Sequence, residues 1–380
     1  MKILYLTDLL SPYRTVWMNL LSKECDVDAY FFDKTEKTRE SSWLNSVENK
    51  FKKYPVKSHT VFGIRFSKEI FEILREKPYD IYIIDGYASF VQVKAILKLT
   101  KSGKNVFVNV DGIDVWRKEG LLSKLKLLVK SKLYRSGAKF LCGSNIAVQR
   151  MIDLGADPKN VFKHPFTTIY KSDIISFDDK IKLQNEYKKL IGAEGKKVAL
   201  AVGRFIPLKH YEDLIKAWQG IGSDCVLYII GSGELKKQYA KLIDDLSIKN
   251  IFILDHMSKA ELDKYYIAAD VFIHTSETEV WGLVFNEAMS KGCPVISTNH
   301  CVGAVELIED GKNGYLINVG DIKDLHNKIL KILGDDNLKL SMIKNSLEKI
   351  SEYTYEELAC THINIFKKSL QSTNIKPSEM

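Results

Sequence analysis

Short apolar runs recur along the chain, separated by stretches whose apolar positions fall at helical spacing. Ile3–Thr7, Ala29–Phe32, Ile81–Ile84, Val106–Val110 and Lys139–Cys142 are rich in Val, Ile and Phe and have the length of buried strands. Helix-length patterns lie between several of them, from Trp17–Leu21 onward, over Lys68–Glu76 and over Phe90–Thr100. Apolar strands alternating with amphipathic helices predict βαβ units and a parallel sheet. The alternation breaks between Pro165 and Gly195, where the sequence is polar and shows no strand. It resumes with Val198–Val202, Val226–Ile230, Ile251–Leu254, Val271–His274, Val295–Thr298 and Gly314–Ile317. Helices are expected between them over Tyr211–Trp218, Leu235–Asp245, Ser258–Ala268 and Val284–Ser290. The whole predicts an α/β protein of two doubly wound, Rossmann-like domains facing each other across a cleft. Their expected bounds are residues 1–168 and 196–355, with 169–195 as a linker and leading helix. A last helix, near 356–375, is expected to pack back on the first domain. In such sheets ligands bind beyond the carboxyl ends of the strands, so the loops there carry the candidate chemistry.

Composition narrows the class. The 380 residues suit two ordinary domains, and 45% hydrophobic with 27% charged residues is the balance of a soluble globular chain. No run approaches the roughly 18 apolar residues that span a bilayer. Met1-Lys-Ile-Leu-Tyr-Leu-Thr-Asp8 has too short an apolar part for a signal peptide and reads as a first strand. The six cysteines form no CxxC pair and no metal-ligand spacing, which predicts a reduced, cytoplasmic setting.

Charge is unevenly spread. Residues 1–170 hold 29 Lys+Arg against 18 Asp+Glu, whereas the remainder holds 27 against 30. The densest part runs from Arg117 to Lys139, with eight basic residues and the acid Glu119. Within it, Leu121–Tyr134 is amphipathic at helical spacing. Two readings stand: a helix lying on an anionic membrane surface through Lys124, Lys126, Lys130 and Lys132, or an ordinary helix with leucines on a sheet and lysines in water. No aromatic–basic interleaving or recognition motif accompanies the charge, which argues against nucleic acid as a partner.

Four loops hold the candidate chemistry. In Val202-Gly-Arg-Phe-Ile-Pro-Leu-Lys-His210, Gly203 permits a tight exit from a strand, and Arg204 and Lys209 offer a bidentate cation and a point charge to a diphosphate. The alternative is a solvated loop with two surface cations. In Gly231-Ser-Gly-Glu234, Gly231 and Gly233 let backbone approach a ligand. Lys236 stands where a dinucleotide fingerprint has its third glycine, so that motif is absent. His256 and Met257 follow another strand, where backbone groups can meet a nucleobase. Finally, Thr275-Ser-Glu-Thr-Glu279 leads into a helix expected to begin near Trp281, Gly282 and Leu283, whose N–H groups and dipole favour an anion. Glu287, one turn inside, can accept hydrogen bonds from vicinal hydroxyls. Singly, Glu279 also reads as a helix-N-terminal carboxylate and Glu287 as part of a solvated face. The glutamate pair is expected two strands away from Arg204 and Lys209 in one sheet.

This ordered set resembles the C-terminal domain of retaining, nucleotide-sugar-dependent glycosyltransferases of the GT-B fold, family 4 type (glycosyl transferases group 1), over about residues 198–320. The carrying residues are Gly203, Arg204 and Lys209, the Gly231–Glu234 loop, Ala268-Ala-Asp-Val-Phe272 and the glutamates spaced E(x7)E. The first half is a looser match, through Ser11-Pro-Tyr-Arg14, Val110-Asp-Gly112 and His164-Pro-Phe166. The resemblance implies transfer from a nucleotide-sugar, a UDP-sugar foremost, to a saccharide or lipid-linked saccharide in capsule, exopolysaccharide or O-antigen synthesis. It implies that Arg204 and Lys209 bind the diphosphate, Glu287 the ribose and Glu279 the sugar hydroxyls, with backbone N–H groups from Trp281, Gly282 and Leu283.

No cofactor is implied, and no metal: Asp111-Gly-Ile-Asp114 has the wrong spacing for a metal-binding DxD, and Asp178-Asp179 falls in the expected linker. Two departures stand out. Ser11-Pro12 replaces a glycine-rich loop, and Asp111 occupies the place of a histidine near the reacting sugar. Asp111 is a candidate to orient a hydroxyl or take the acceptor's proton; the alternative is a turn-forming Asp-Gly. Arg14 is a candidate to reach the phosphates from across the cleft, and equally a surface cation. A nucleotide-sugar epimerase or a phosphorylase of the same architecture, or a non-catalytic binding subunit, are the competing functions. The joint presence of Arg204, Lys209, Glu279 and Glu287 argues against the last.

Overall fold

The computed structural model describes residues 1–32, 47–62, 64–112, 116 and 131–374. They fall into two compact units, one of Met1–Ile113, Arg117–Phe166 and Tyr355–Met380, the other of Asp114–Trp116 and Thr167–Thr354. Lys124, Lys126 and Lys130 lie outside the described residues. Lys132 is exposed at the described end of the basic segment, beside Leu133 and Tyr134, which are buried in the core of the first unit.

The first unit is built on β1 (Lys2–Thr7), β2 (Asp26–Phe31), β3 (Lys52–Pro55), the hairpin of β4 (His59–Val61) and β5 (Ile64–Phe66), then β6 (Ile81–Asp85), β7 (Val106–Val110), β8 (Lys139–Cys142) and β9 (Val161–Lys163). The main sheet is parallel throughout, in the order β3-β2-β1-β6-β7-β8-β9. Its central strands are buried on both faces, which is why they read as continuous apolar runs. The helix after β1 spans Pro12–Leu21. It starts earlier than the apolar pattern suggested, because Pro12 suits a first helical turn, and it stops at Leu21. The helix Phe90–Lys101 opens with a capping box: Ser89 and Gln92 exchange hydrogen bonds of 3.3 and 3.0 Å. The last helix, Tyr355–Asn374, belongs to this unit and packs Leu358, Ile363 and Phe366 against Tyr5, Ile83 and Phe107.

The second unit carries β10 (Lys197–Val202), β11 (Cys225–Ile230), β12 (Ile251–Leu254), β13 (Val271–His274), β14 (Val295–Thr298) and β15 (Gly314–Ile317). These form a parallel sheet in the order β12-β11-β10-β13-β14-β15. Strand order thus reverses at β10, which has β11 on one side and β13 on the other. β10 and β13 are direct neighbours, not two strands apart as expected, so the loops that leave them share one crevice mouth.

The polar stretch expected to be a linker is part of the second unit. Its helix, Phe177–Leu190, sets Lys180, Gln184 and Lys188, four residues apart, on a buried face. Lys180 Nζ donates to the carbonyls of Tyr266, Ile267 and Ala269 at 3.3, 2.6 and 2.9 Å, closing the carboxyl end of the helix Lys259–Ala268. Lys188 Nζ donates to Asp270 at 2.7 Å. Asp270 is fully buried and also accepts from Val198 N (2.7 Å) and Gln184 Nε2 (3.2 Å) and pairs with Lys339 (3.2 Å). A buried carboxylate is tolerable with its oxygens so occupied.

Candidate functional site

The loops leaving β10 and β13 are tied together by hydrogen bonds to the backbone. Glu277 N donates to Leu208 O at 2.9 Å, and Thr275 Oγ1 to Lys209 O at 2.9 Å. A short 3-10 turn, Pro207–Lys209, ends at His210, whose left-handed φ of 49° turns the chain into the helix Tyr211–Ala217. This geometry leaves Lys209 buried and carries its ammonium onto Glu279, with which it forms a close ion pair. Glu279 is held from the other side: its N–H donates to His300 O at 3.1 Å and its carbonyl accepts from Val302 N at 3.0 Å. Arg204, in contrast, is exposed at the exit of β10 and makes no ion pair among the described residues.

The glycines of this mouth are close-approach positions. A side chain on Gly231 would place its Cβ 1.8 Å from Gly203 O, and one on Gly233 would stand 2.5 Å from Phe205 O. Backbone bonds join the same strands, Gly203 N to Ile230 O at 3.0 Å and Phe205 N to Ser232 O at 2.7 Å. His256, exposed, and Met257, half-buried, follow β12 at the sheet edge.

The helix Leu283–Ser290 begins at Gly282, which has a left-handed φ of 84° and whose Cβ would strike the Phe285 ring at 2.6 Å. No side chain caps this terminus, so its first N–H groups are available to an anion. Trp281 is buried and donates from Nε1 to Asn286 Oδ1 at 2.8 Å, which anchors the loop to its own helix. Glu287 is not on a solvated face. It is half-buried and accepts from the buried Tyr266 hydroxyl at 3.1 Å; burial pushes its carboxyl above the usual value, the Tyr266 bond opposing. His274, the last residue of β13, went unmarked by the sequence. Burial and the Lys209 charge hold its imidazole neutral, with Nε2 3.9 Å from Glu279. Its place at a strand's carboxyl end was the available signal.

The first unit has a charged cluster at its own point of strand reversal, between β1 and β6. Arg14 is not a surface cation: it is buried and pairs with Asp85 at 2.5 Å and, more closely, with Asp111. Asp85 also accepts from Thr7 Oγ1 at 2.7 Å. Burial pushes the Asp111 carboxyl up to about 6, Arg14 opposing and Asp85 adding to the rise. Ser11 is buried at the start of the Pro12 helix. Asp85 was not singled out from the sequence, although it too ends a strand.

Residues 184–349 match the family described as glycosyl transferases group 1. This part of the chain is a glycosyl transferases group 1 domain. It is similar to a poly(ribitol-phosphate) alpha-N-acetylglucosaminyltransferase of Staphylococcus aureus, 28% identical over 51% of this chain and 39% of that protein. It is also similar to the capsular polysaccharide biosynthesis glycosyltransferase CapM of S. aureus, 28% identical over 50% of this chain and 52% of its own. The chain thus spans about two-fifths to one-half of the length of these two relatives. Among solved structures, HepE of Anabaena in complex with UDP and glucose superposes with a TM-score of 0.71 and 17% identity, over 98% of this chain and 100% of that one. The group 1 domain and the unit that precedes it therefore have the α/β GT-B fold.

Proposed function

We propose that this protein is a retaining glycosyltransferase of the family 4 type. It moves a sugar from a nucleoside-diphosphate donor, a UDP-sugar, to a saccharide or lipid-linked saccharide during surface-polysaccharide assembly. The observation that carries the reading is the meeting of Lys209 and Glu279 at the β10–β13 strand reversal, beside the uncapped Leu283 helix. In an open α/β sheet this is where a ligand binds, and the groups present there suit a sugar diphosphate.

The roles follow from charge. As the sugar–phosphate bond breaks, negative charge grows on the leaving diphosphate and positive charge on the sugar ring. Lys209, Arg204 and the N–H groups of Gly282 and Leu283 meet the first, and stabilise it more than the ground state. Glu279 accepts from sugar hydroxyls while its ion pair keeps Lys209 in place. Glu287 accepts from the ribose, its second oxygen fixed by Tyr266. Gly203, Gly231 and Gly233 admit the donor to the backbone, and His256 and Met257 border the base. Charge neutralisation comes from these groups without a metal. In the first unit, which takes the acceptor, Asp111 accepts the acceptor's proton, its raised pKa matching it to that task.

The poly(ribitol-phosphate) alpha-N-acetylglucosaminyltransferase and the capsular polysaccharide biosynthesis glycosyltransferase among its relatives, and a neighbour in complex with UDP and glucose, support this reading. Among the described residues no helix is long and apolar enough to cross a membrane. A cytoplasmic protein is proposed, with peripheral attachment to the membrane through Lys124, Lys126, Lys130 and Lys132. The test is a thermal-shift panel of UDP-, GDP- and ADP-sugars: a UDP-sugar should stabilise the protein by mass action and then support transfer to a saccharide. Stabilisation by none of them would remove the donor assignment.

A further inference from the structure

The β4–β5 hairpin presents apolar side chains to water at its tip. Phe62 is fully exposed, and Val61 and Ile64 are each 46% exposed. Phe62 has a left-handed φ of 49°, a backbone state bulky residues seldom adopt. Folding here leaves the most apolar part of the hairpin uncovered.

The base, by contrast, is fixed. Arg65 pairs with Asp8 at 2.5 Å and lies over the Phe32 ring at 5.1 Å. His59 stacks on Phe66 with ring centres 5.8 Å apart, and Phe66 meets Phe90 at 5.6 Å. Beneath is a cavity of about 380 Å³ lined by His59, Phe66 and Phe90 together with Phe71, Lys68, Arg75, Lys94 and Lys98, with Glu72 as its one carboxylate. Lys94 lies over Phe71 and Phe90 at 5.1 and 5.7 Å, and Lys98 over Phe71 at 5.5 Å. No carboxylate among the described residues pairs with Lys68, Lys94 or Lys98.

We propose that this hairpin is a wedge for an anionic bilayer: Val61, Phe62 and Ile64 enter the acyl boundary, while Lys68, Lys94 and Lys98 take lipid phosphates at the cavity below. Charge favours lipid as the occupant. An apolar point over a cationic base matches the order of a leaflet, apolar inside and anionic at its surface. Residues 1–170 also carry 29 basic against 18 acidic residues, so the surrounding field has the same sign. A partner protein covering the tip would have no need of the lysines. The element is separate from the basic segment 121–134, and the inference does not depend on the donor assignment: loss of vesicle binding and loss of UDP-sugar binding are separate readouts.

The test is sedimentation of the full chain with vesicles of equimolar phosphatidylcholine and phosphatidylglycerol. The double variant Phe62→Ser, Ile64→Ser should lower the partition coefficient about tenfold or more, and that loss should persist at high salt. The double variant Lys94→Ala, Lys98→Ala should lower it about fivefold per lysine at low salt only. Both should melt like the parent chain, because the changed side chains are exposed or line an open cavity. Wild-type vesicle binding by both variants overturns the proposal, as does equal binding to pure phosphatidylcholine. It also fails if the tip variant keeps vesicle binding but changes the sedimentation coefficient of the protein alone, which would make a second copy the occupant.

Discussion

Asp270→Asn removes one negative charge from a fully buried site and keeps its shape. The carboxylate has donors on both sides: Lys188 and Val198 N on Oδ2, each at 2.7 Å, and Gln184 and Lys339 near Oδ1, each at 3.2 Å. Whichever way an asparagine amide is turned, its NH2 meets donors on one side and loses both bonds there. Bonds to charged groups contribute about 1.5–3 kcal/mol each, and an uncompensated buried charge costs about 3–5 kcal/mol. A loss near 4 kcal/mol is therefore expected. For a unit of this size each kcal/mol lowers the midpoint by about 2–4 °C, so calorimetry should show the second unit melting roughly 8–16 °C earlier. Urea unfolding should show the same loss with an unchanged slope. A change under about 1 kcal/mol would refute the view that this network holds the Phe177–Leu190 helix to the sheet.

Lys209→Ala and Glu287→Ala should each abolish transfer, a fall of at least about 100-fold in rate, while circular dichroism stays that of the parent; near-normal turnover by either would sink the site assignment. Gly231→Ala forces a Cβ to within 1.8 Å of the Gly203 carbonyl, so donor-induced thermal stabilisation should vanish and the variant should melt early; a parent-like thermal shift would contradict the close approach. If Asp111 takes the acceptor's proton, kcat/KM should fall on acidification through about pH 6, where the carboxyl picks up its proton, and Asp111→Asn should lose that limb along with most activity. The sign for folding is opposite: with its folded pKa raised, the proton that Asp111 holds favours the folded state below the ordinary carboxylate range. That contribution is lost as pH rises through about 6, measurable as stability in Asp111→Asn that no longer falls over this window. The acid donor-binding limb expected from Glu287, whose carboxyl is also pushed up, is checked by titrating UDP affinity against pH, with Glu287→Gln as the variant that should flatten it.

The apolar runs located the central strands because parallel strands buried on two faces have few polar positions, and β7, β8, β12, β13, β14 and β15 have the ends expected of them. What escaped was structure whose pattern does not come from apolar burial. β3 and the β4–β5 hairpin are mostly exposed and so show no core run. The Phe177–Leu190 helix buries lysines and a glutamine against carbonyls and a carboxylate, which in sequence looks like solvated linker. At the candidate site the structure brings Lys209 onto Glu279, two charged residues that the sequence offered at strand ends, while Arg204 stays exposed and Glu287 accepts from Tyr266. The adjacency of β10 and β13 was not legible, since strand order is set by crossover handedness and packing and leaves no mark in local sequence. The burial of Arg14 left no local mark for a related reason: its partners Asp85 and Asp111 lie 71 and 97 residues away, and only the sheet brings them within reach.

Glu279 itself is held in the loop by main-chain bonds. His300 O and Val302 N bracket Glu279, and a Cβ on Gly303 would sit 2.2 Å from the Trp281 carbonyl. The exposed Val280 side chain takes no part in those backbone bonds. Substitution at Val280 leaves those main-chain bonds in place, whereas any side chain at Gly303 would displace Trp281 and the helix terminus behind it. On the proposed function, a scaffold of this kind separates the freedom to acquire new donors from the risk of losing the reaction.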